Sequence, residues 1–320
     1  MKRILLITAT MLMLFGFSVS ADATTSPQKL TKISLMLDWF VNPNHGPIII
    51  AQERGYFKQH GLVVDIQQPA DPSLPPKLVA ANKIDLAVSY QPSLTIDVAA
   101  GLPLIKTATL IATPLNTLMV LKKSGITDLS QLKGKTIGIS IAGNEDATIG
   151  TMLADHGVKL SEVKIVNVGW ALSSSLASGK VDAIWGGLRN FETNQLALEG
   201  YPTTSFFPEE NGIPSYDELI FVANSKHYNR QAITAFNAAI TQATTYIINH
   251  PDAAWKQFIQ YAPDTLDNKL NHNAWNDTLT RFALRPAAVD FKRYDDYAQF
   301  LFKHHVITQL PQAKNYIGSF

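Results

Sequence analysis

Residues 33–39 read ISLMLDW, residues 63–67 read VVDIQ and residues 86–90 read LAVSY. Each is a short apolar run of strand length with Gly, Pro or Asn nearby. Helical stretches lie between them. Residues 47–59 carry Ile48, Ile49 and Ile50 on their early turns, with Gly55 and Gly61 framing the end. Residues 76–82 read as a second helix. Residues 92–100 read as a third and close at Gly101, a residue suited to a helix C-terminus. A fourth strand is expected over 104–111. Repeating strand–helix units predict an α/β fold built on a parallel, doubly wound sheet.

Toward the C-terminus the pattern repeats once and then changes. Strands are expected at 118–122, 136–140, 165–168, 181–186 and 218–224, with helices at 146–156, 171–178 and 190–199. After residue 224 only helices follow. Residues 230–249 carry Ile233, Phe236, Ile240, Ile247 and Ile248 at roughly helical spacing. That helix should stop there, because His250 precedes Pro251 and is biased away from helical geometry. Residues 251–261, 266–282 and 291–304 complete the tail. This order predicts two α/β lobes joined by two crossovers, near 113–118 and near 221–224, with the last helices packed back on the first lobe. The first lobe would comprise residues 27–115 and 224–320, the second residues 116–223. A ligand would sit between the lobes, outside the carboxyl ends of the strands.

Toward the N-terminus, Met1-Lys2-Arg3 precedes an apolar run at 4–17 and the small residues 18–21. This reads as a secretory signal peptide cleaved after Ala21. The run is shorter than the ~20 residues needed to cross a bilayer. With no Cys in the chain, lipid attachment at a cysteine is excluded, so a soluble periplasmic protein is expected. Disulfides, thiolate metal sites and a Cys nucleophile are excluded on the same ground. The chain has 27 basic and 26 acidic residues; losing Lys2 and Arg3 turns a formal charge of +1 into −1. Neither balance offers the basic footprint of a nucleic-acid or anionic-membrane binder. No phosphate-loop, zinc or nucleophile-elbow motif is present.

Several phrases carry a resemblance. They are Leu37-Asp38-Trp39 before Asn42-Pro43-Asn44-His45, Ala51-Gln52-Glu53-Arg54-Gly55-Tyr56-Phe57, and Asn82-Lys83-Ile84-Asp85-Leu86. LSQLKGKTIG at 129–138, Ser178-Gly179-Lys180-Val181-Asp182-Ala183 and Pro251-Asp252-Ala253-Ala254-Trp255-Lys256 complete the set. In this order, from about residue 32 to about 285, they resemble the thiamine-pyrimidine family of type II periplasmic binding proteins. That family unites substrate-binding proteins of ABC transporters with a pyrimidine precursor synthase. The resemblance implies a small heterocyclic ligand, a membrane permease as partner and a monomer without cofactor. It places the synthases' cofactor lysine and nearby histidine at Ser89 and Ser93, and this chain lacks their cysteine-rich run. A Schiff base needs an amine, which serine cannot supply.

The candidate ligand contacts follow strand ends. Trp39 can stack on a flat heteroaromatic ring, or be a core residue. Asp38 can accept from an exocyclic amine, cap the loop or pair with a base. Asn42, Asn44 and His45 lie between the first strand and first helix, where Asn44 could instead be an N-cap. Tyr90 ends the third strand and reads as a second aromatic face opposite Trp39, or as a tyrosine packed under a loop. Gly143 and Asn144 open a second-lobe helix, whose free N–H groups could hold an anion or a polar ring edge. Asn190, Glu192, Tyr216 and Glu218 complete the set. Helix-dipole stabilisation alone would explain Glu192, whereas the resemblance implies an acid there that binds the aminopyrimidine. Arg189 is the only basic residue beside this helix start, which weighs against an anionic ligand such as sulfonate or nitrate. A flavin is a further alternative.

Overall fold

The computed structural model describes residues 29–320, so the expected signal peptide, residues 1–21, lies outside the described residues. The strands of the N-terminal half are β1 (Thr31–Met36), β2 (Leu62–Gln67), β3 (Leu86–Ser89), β4 (Leu104–Ile111) and β5 (Asn116–Leu121). Then come β6 (Thr136–Ile139), β7 (Lys164–Asn167), β8 (Ala183–Leu188), β9 (Thr203–Phe206) and β10 (Leu219–Asn224). They form two sheets, ordered β2-β1-β3-β10-β4 and β7-β6-β8-β5-β9.

Neither sheet is wholly parallel. β1 runs parallel to β2 and β3, but β10 is antiparallel to both β3 and β4. In the second sheet β5 is antiparallel to β8 and β9. Each exception is the strand entered directly from the other lobe, so it arrives without the helical crossover that parallel pairing needs. Every residue of β10, LIFVAN, is buried, as befits a strand covered on both faces. Burial of this kind does not reveal which sheet owns a strand. The return to the first lobe was expected near 221–224, yet those residues already lie inside the first sheet. Ile213 and Tyr216 pack in the second-lobe core and Leu219 in the first, so the chain crosses back just before β10.

The stretch 47–59 is two helices, α1 (Gly46–Glu53) and α2 (Tyr56–Gln59), split where Gly55 takes a left-handed turn at φ 66°. They are followed by α3 (Pro75–Ala80) and α4 (Gln91–Ala99) in the first lobe. The second lobe adds α5 (Ile149–Ala154), α6 (Leu172–Ala177) and α7 (Glu192–Leu198). α5 starts later than expected, because residues 145–148 form a turn rather than helix.

In the tail, α8 (Arg230–Asn249) spans the expected residues. Asn229 caps it by accepting from the Ala232 N–H at 3.0 Å, and it ends at His250 before Pro251. Ile233, Phe236, Ile240 and Ile247 join the first-lobe core. After it come α9 (Pro251–Phe258), α10 (Pro263–Leu266), α11 (Lys269–Thr278) and α12 (Phe291–Lys303). The last helix departs from the expected packing on the first lobe. Its Tyr294 sits with β10 residues Ile220 and Val222, but Tyr297, Phe300 and Leu301 belong to the second-lobe core. α12 therefore straddles both lobes.

Candidate functional site

A cleft between the lobes holds about 880 Å³ of empty space at the carboxyl ends of the strands. Its wall includes Asp38, Trp39, Asn42, Asn44, Tyr90, Asn144, Glu192, Tyr216 and Glu218. Of the expected residues, His45 and Asn190 stand off this wall, and Gly143 lines an adjoining cavity instead.

β1 ends at Met36, and the chain turns so that Asp38 and Trp39 reach the cleft. Asp38 is buried and both its oxygens are engaged. The Tyr90 hydroxyl donates to Oδ2 at 2.7 Å. The Asn42 N–H donates to His45 Nδ1 at 3.2 Å, so the ring proton is on Nε2, which donates to Asp38 Oδ1 at 2.9 Å. Burial and the neighbouring Asp38 carboxylate hold the Tyr90 phenol well above its ordinary value, keeping it a donor. His45 is thus the support of Asp38, and Asp38 fixes Tyr90.

Asn42, not Asn44, is the N-cap of the turn Pro43–His45: its side chain accepts from the Asn44 N–H at 2.9 Å. Asn44 is left to reach the other lobe. Its Oδ1 accepts from Asn190 Nδ2 at 2.6 Å, and the same amide nitrogen donates to Thr278 Oγ1 at 2.7 Å. Asn190 therefore stitches the second lobe to the first loop and to α11. The Gly143 N–H is taken by the Glu145 carboxylate at 2.8 Å, which leaves it unavailable to an anion.

Glu192 and Glu218 form the acidic part of the wall. Glu192 Oε2 accepts from the Leu188 N–H at 2.8 Å. Burial pushes its carboxyl up to about 7, against the opposing pull of that bond and of its own N–H. Glu218 Oε2 accepts from the N–H groups of Leu115 (2.6 Å) and Asn116 (3.0 Å), which belong to the first crossover. Glu218 itself precedes β10, so one carboxylate ties the two crossovers together. Burial raises it, too, to about 7. Arg189 turns away from the cavity, pairs with Glu209 at 2.7 and 2.9 Å and lies over the Phe207 ring. Among the described residues no Lys, Arg or His side chain lines the cavity.

The sequence reading missed a second aromatic group. Trp39 meets Trp170 of the second lobe at a centroid distance of 4.1 Å, and Phe40 meets Phe191 at 5.8 Å. Trp170 Nε1 donates to the Ala70 carbonyl of the first lobe at 3.3 Å. These contacts join the two lobes beside Trp39. The signal was weak: Trp170 follows Gly169 in a loop with no periodicity. The wall residues Trp185 and Gly186 had a better signal, because paired glycines inside a strand mark a bulge. Gly186 has φ 111°, and its N–H donates to Asn116 Oδ1 at 2.8 Å.

A family model described as NMT1/THI5-like matches residues 42–254. The chain belongs to the NMT1/THI5-like family. Within it, the chain is 48% identical to a Haemophilus influenzae protein named for thiamine biosynthesis, over 96% of this chain and 98% of the relative. It is 31% identical to a formylaminopyrimidine-binding protein of Halalkalibacterium halodurans, over 79% and 78%. It is 28% identical to a 4-amino-5-hydroxymethyl-2-methylpyrimidine phosphate synthase of Saccharomyces cerevisiae, over 84% and 83%. Among solved structures, the alkanesulfonate-binding protein of Xanthomonas axonopodis pv. citri superposes with a TM-score of 0.69 at 16% identity, covering 90% of this chain and 98% of that one. This NMT1/THI5-like chain thus has the type II periplasmic-binding-protein fold, as expected from its sequence.

Proposed function

We propose that this chain is the periplasmic substrate-binding component of an ABC importer and that its ligand is a thiamine pyrimidine precursor of the hydroxymethylpyrimidine or formylaminopyrimidine type. One observation carries the reading: the wall of this cavity combines Trp39 and Tyr90 with Glu192 and Glu218, and among the described residues no basic side chain lines it. A sulfonate or nitrate held between these aromatic rings would meet carboxylates with no cation on the same wall. An aminopyrimidine meets what it needs. Its flat ring stacks on the aromatic faces. Its amine and ring nitrogen form a two-point edge for a carboxyl group. A carboxyl raised to about 7 shares a proton with a ring nitrogen readily, as carboxylate to a protonated ring or as acid to a neutral one.

Closure follows from where these groups sit. Trp39 and Tyr90 belong to the first lobe, Glu192 to the second and Glu218 to the crossovers. A ligand touching all of them favours the closed lobes, whereas contacts to one lobe alone would not shift the hinge. The asparagine stitch and the Trp39–Trp170 contact both run from one lobe to the other. Non-enzymatic binding is supported by Ser89 and Ser93, which stand where the resemblance places the synthases' lysine and histidine.

The test is calorimetry and thermal shift on protein stripped of carried-over ligand by unfolding and refolding. The panel holds aminopyrimidines, thiamine, riboflavin, taurine and nitrate. A ligand at about 100 times its Kd adds about 2.7 kcal/mol of stability. That gain is expected from one aminopyrimidine and is lost in Trp39→Ala and Glu192→Ala. A response to riboflavin or taurine alone would overturn the ligand assignment.

A further inference from the structure

A second cavity, with about 620 Å³ of empty space, adjoins the first. Tyr90, Ser93 and Asn144 line both, so the two are neighbouring chambers of one cleft. The second chamber is built differently. Among the described residues no tryptophan and no glutamate lines it, but Ser73, Ser89, Lys77 and Asp97 do. Ser89 ends β3, at the strand end where this architecture places ligands. It is 2% exposed, and its hydroxyl oxygen has no hydrogen-bond partner. An orphaned buried hydroxyl forfeits its hydration with nothing in return, so a folded chain retains one where something else satisfies it. β3 is otherwise Leu-Ala-Val, and an apolar residue would fit its end without that cost.

We propose that this second chamber is an arm subsite: it takes a neutral hydrogen-bonding substituent, of formamide or hydroxyl chemistry, carried by the ring held in the first chamber, and Ser89 reads that substituent. The inference rests on the pyrimidine reading above and deepens it. Neutrality follows from the wall. Lys77 would repel a cationic arm. Asp97 would repel a phosphate, and the three carboxylates of the first chamber stand close behind. Burial raises the Asp97 carboxyl to about 6 against the pull of Lys77, so it is ionised at neutral pH and opposes an anion there. Hydroxyl groups and the Asn144 amide remain, and they suit an arm that both donates and accepts.

The test compares four 4-amino-2-methylpyrimidines that differ only at ring position 5: methyl, hydroxymethyl, formylaminomethyl and phosphooxymethyl. Kd values are measured by calorimetry on the stripped full chain and on Ser89→Ala, with Ser93→Ala as a second variant in case the first fails to fold. The wild type should bind the formylaminomethyl compound about tenfold more tightly than the methyl compound. Ser89→Ala should cut that ratio roughly three- to tenfold, the worth of one hydrogen bond, and leave the methyl compound's Kd unchanged. An unchanged ratio, or a preference for the phosphooxymethyl arm, overturns the arm subsite while the pyrimidine reading survives. If the methyl compound and the other three all fail to bind, the pyrimidine reading falls and the subsite with it.

Discussion

Replacing Glu192 by Gln should flatten the pH dependence of stability, by an amount that follows from the burial of this one side chain. The folded state holds the Glu192 carboxyl at about 7, against an ordinary value of 4.5 in the unfolded chain. Between these values the folded state binds more protons than the unfolded one, so stability falls as pH rises through the window. The contribution is fully present below the unfolded value. The loss is complete above about 7, where both states are ionised. At about 1.4 kcal/mol per unit of pH, the change from about pH 5 to about pH 8 is roughly 2–3 kcal/mol. Gln keeps an oxygen that accepts from the Leu188 N–H but carries no proton to lose. Urea unfolding of both proteins across this range gives the comparison, with every other titrating group cancelling in the difference. The stability of Glu192→Gln minus that of wild type should rise by roughly 2–3 kcal/mol with pH. A difference independent of pH would mean that Glu192 titrates as a solvated side chain, and the burial argument would fail.

Three further outcomes are expected. Trp170→Ala removes the cross-lobe contact with Trp39; an aromatic pair worth about 0.5–1.5 kcal/mol predicts roughly two- to tenfold faster ligand release in stopped-flow fluorescence, and an unchanged rate would mean that this contact does not hold the lobes together. Asp217 accepts from Arg293 Nη1 (2.5 Å), the Tyr294 hydroxyl (2.9 Å) and Thr109 Oγ1 (2.9 Å), with buried Lys106 at 3.7 Å. Asp217→Ala strands that lysine and should cost roughly 3–5 kcal/mol in urea unfolding; a loss below about 1 kcal/mol would refute its place as the charge anchor. Pyridoxal phosphate followed by borohydride should leave no single stoichiometric label; selective labelling of Lys77, the lysine on the second chamber's wall, would revive the synthase reading.

How much of this was legible in the sequence depended on where each residue's partners lie. Runs such as LAVS and LIFVAN declare internal strands by their own apolar character, and both are buried throughout. TTSF at Thr203–Phe206 did not, because a half-buried edge strand of small polar residues has no comparable run. Residues at strand and helix ends, such as Asp38, Trp39, Tyr90 and Glu192, were found by position, since the fold brings those ends to one cleft. The roles within the cleft were less accessible. Asn44 and Asn190 looked like two ligand contacts and bind one another across 146 positions of chain. Nothing local in either segment encodes that choice. Asp38 was read as an acceptor for a ligand amine, a loop cap or a partner for a base; its oxygens accept from His45 and Tyr90, partners 7 and 52 positions away.

The position of β10 constrains the order in which the molecule can assemble during synthesis. Residues 116–206 contain every strand of the second sheet, so that lobe's sheet can pair as soon as this continuous stretch is available. The first sheet cannot. Its β3 and β4 are joined only through β10, which begins at Leu219, more than a hundred residues after β4 ends. A growing chain therefore carries β1 to β4 as an incomplete edge-bearing half while the other lobe is being made. It then still needs α12 to cover both cores. A truncation between Phe206 and Leu219 yields one complete sheet and one that lacks the strand joining β3 to β4, with exposed strand edges of the kind that aggregate.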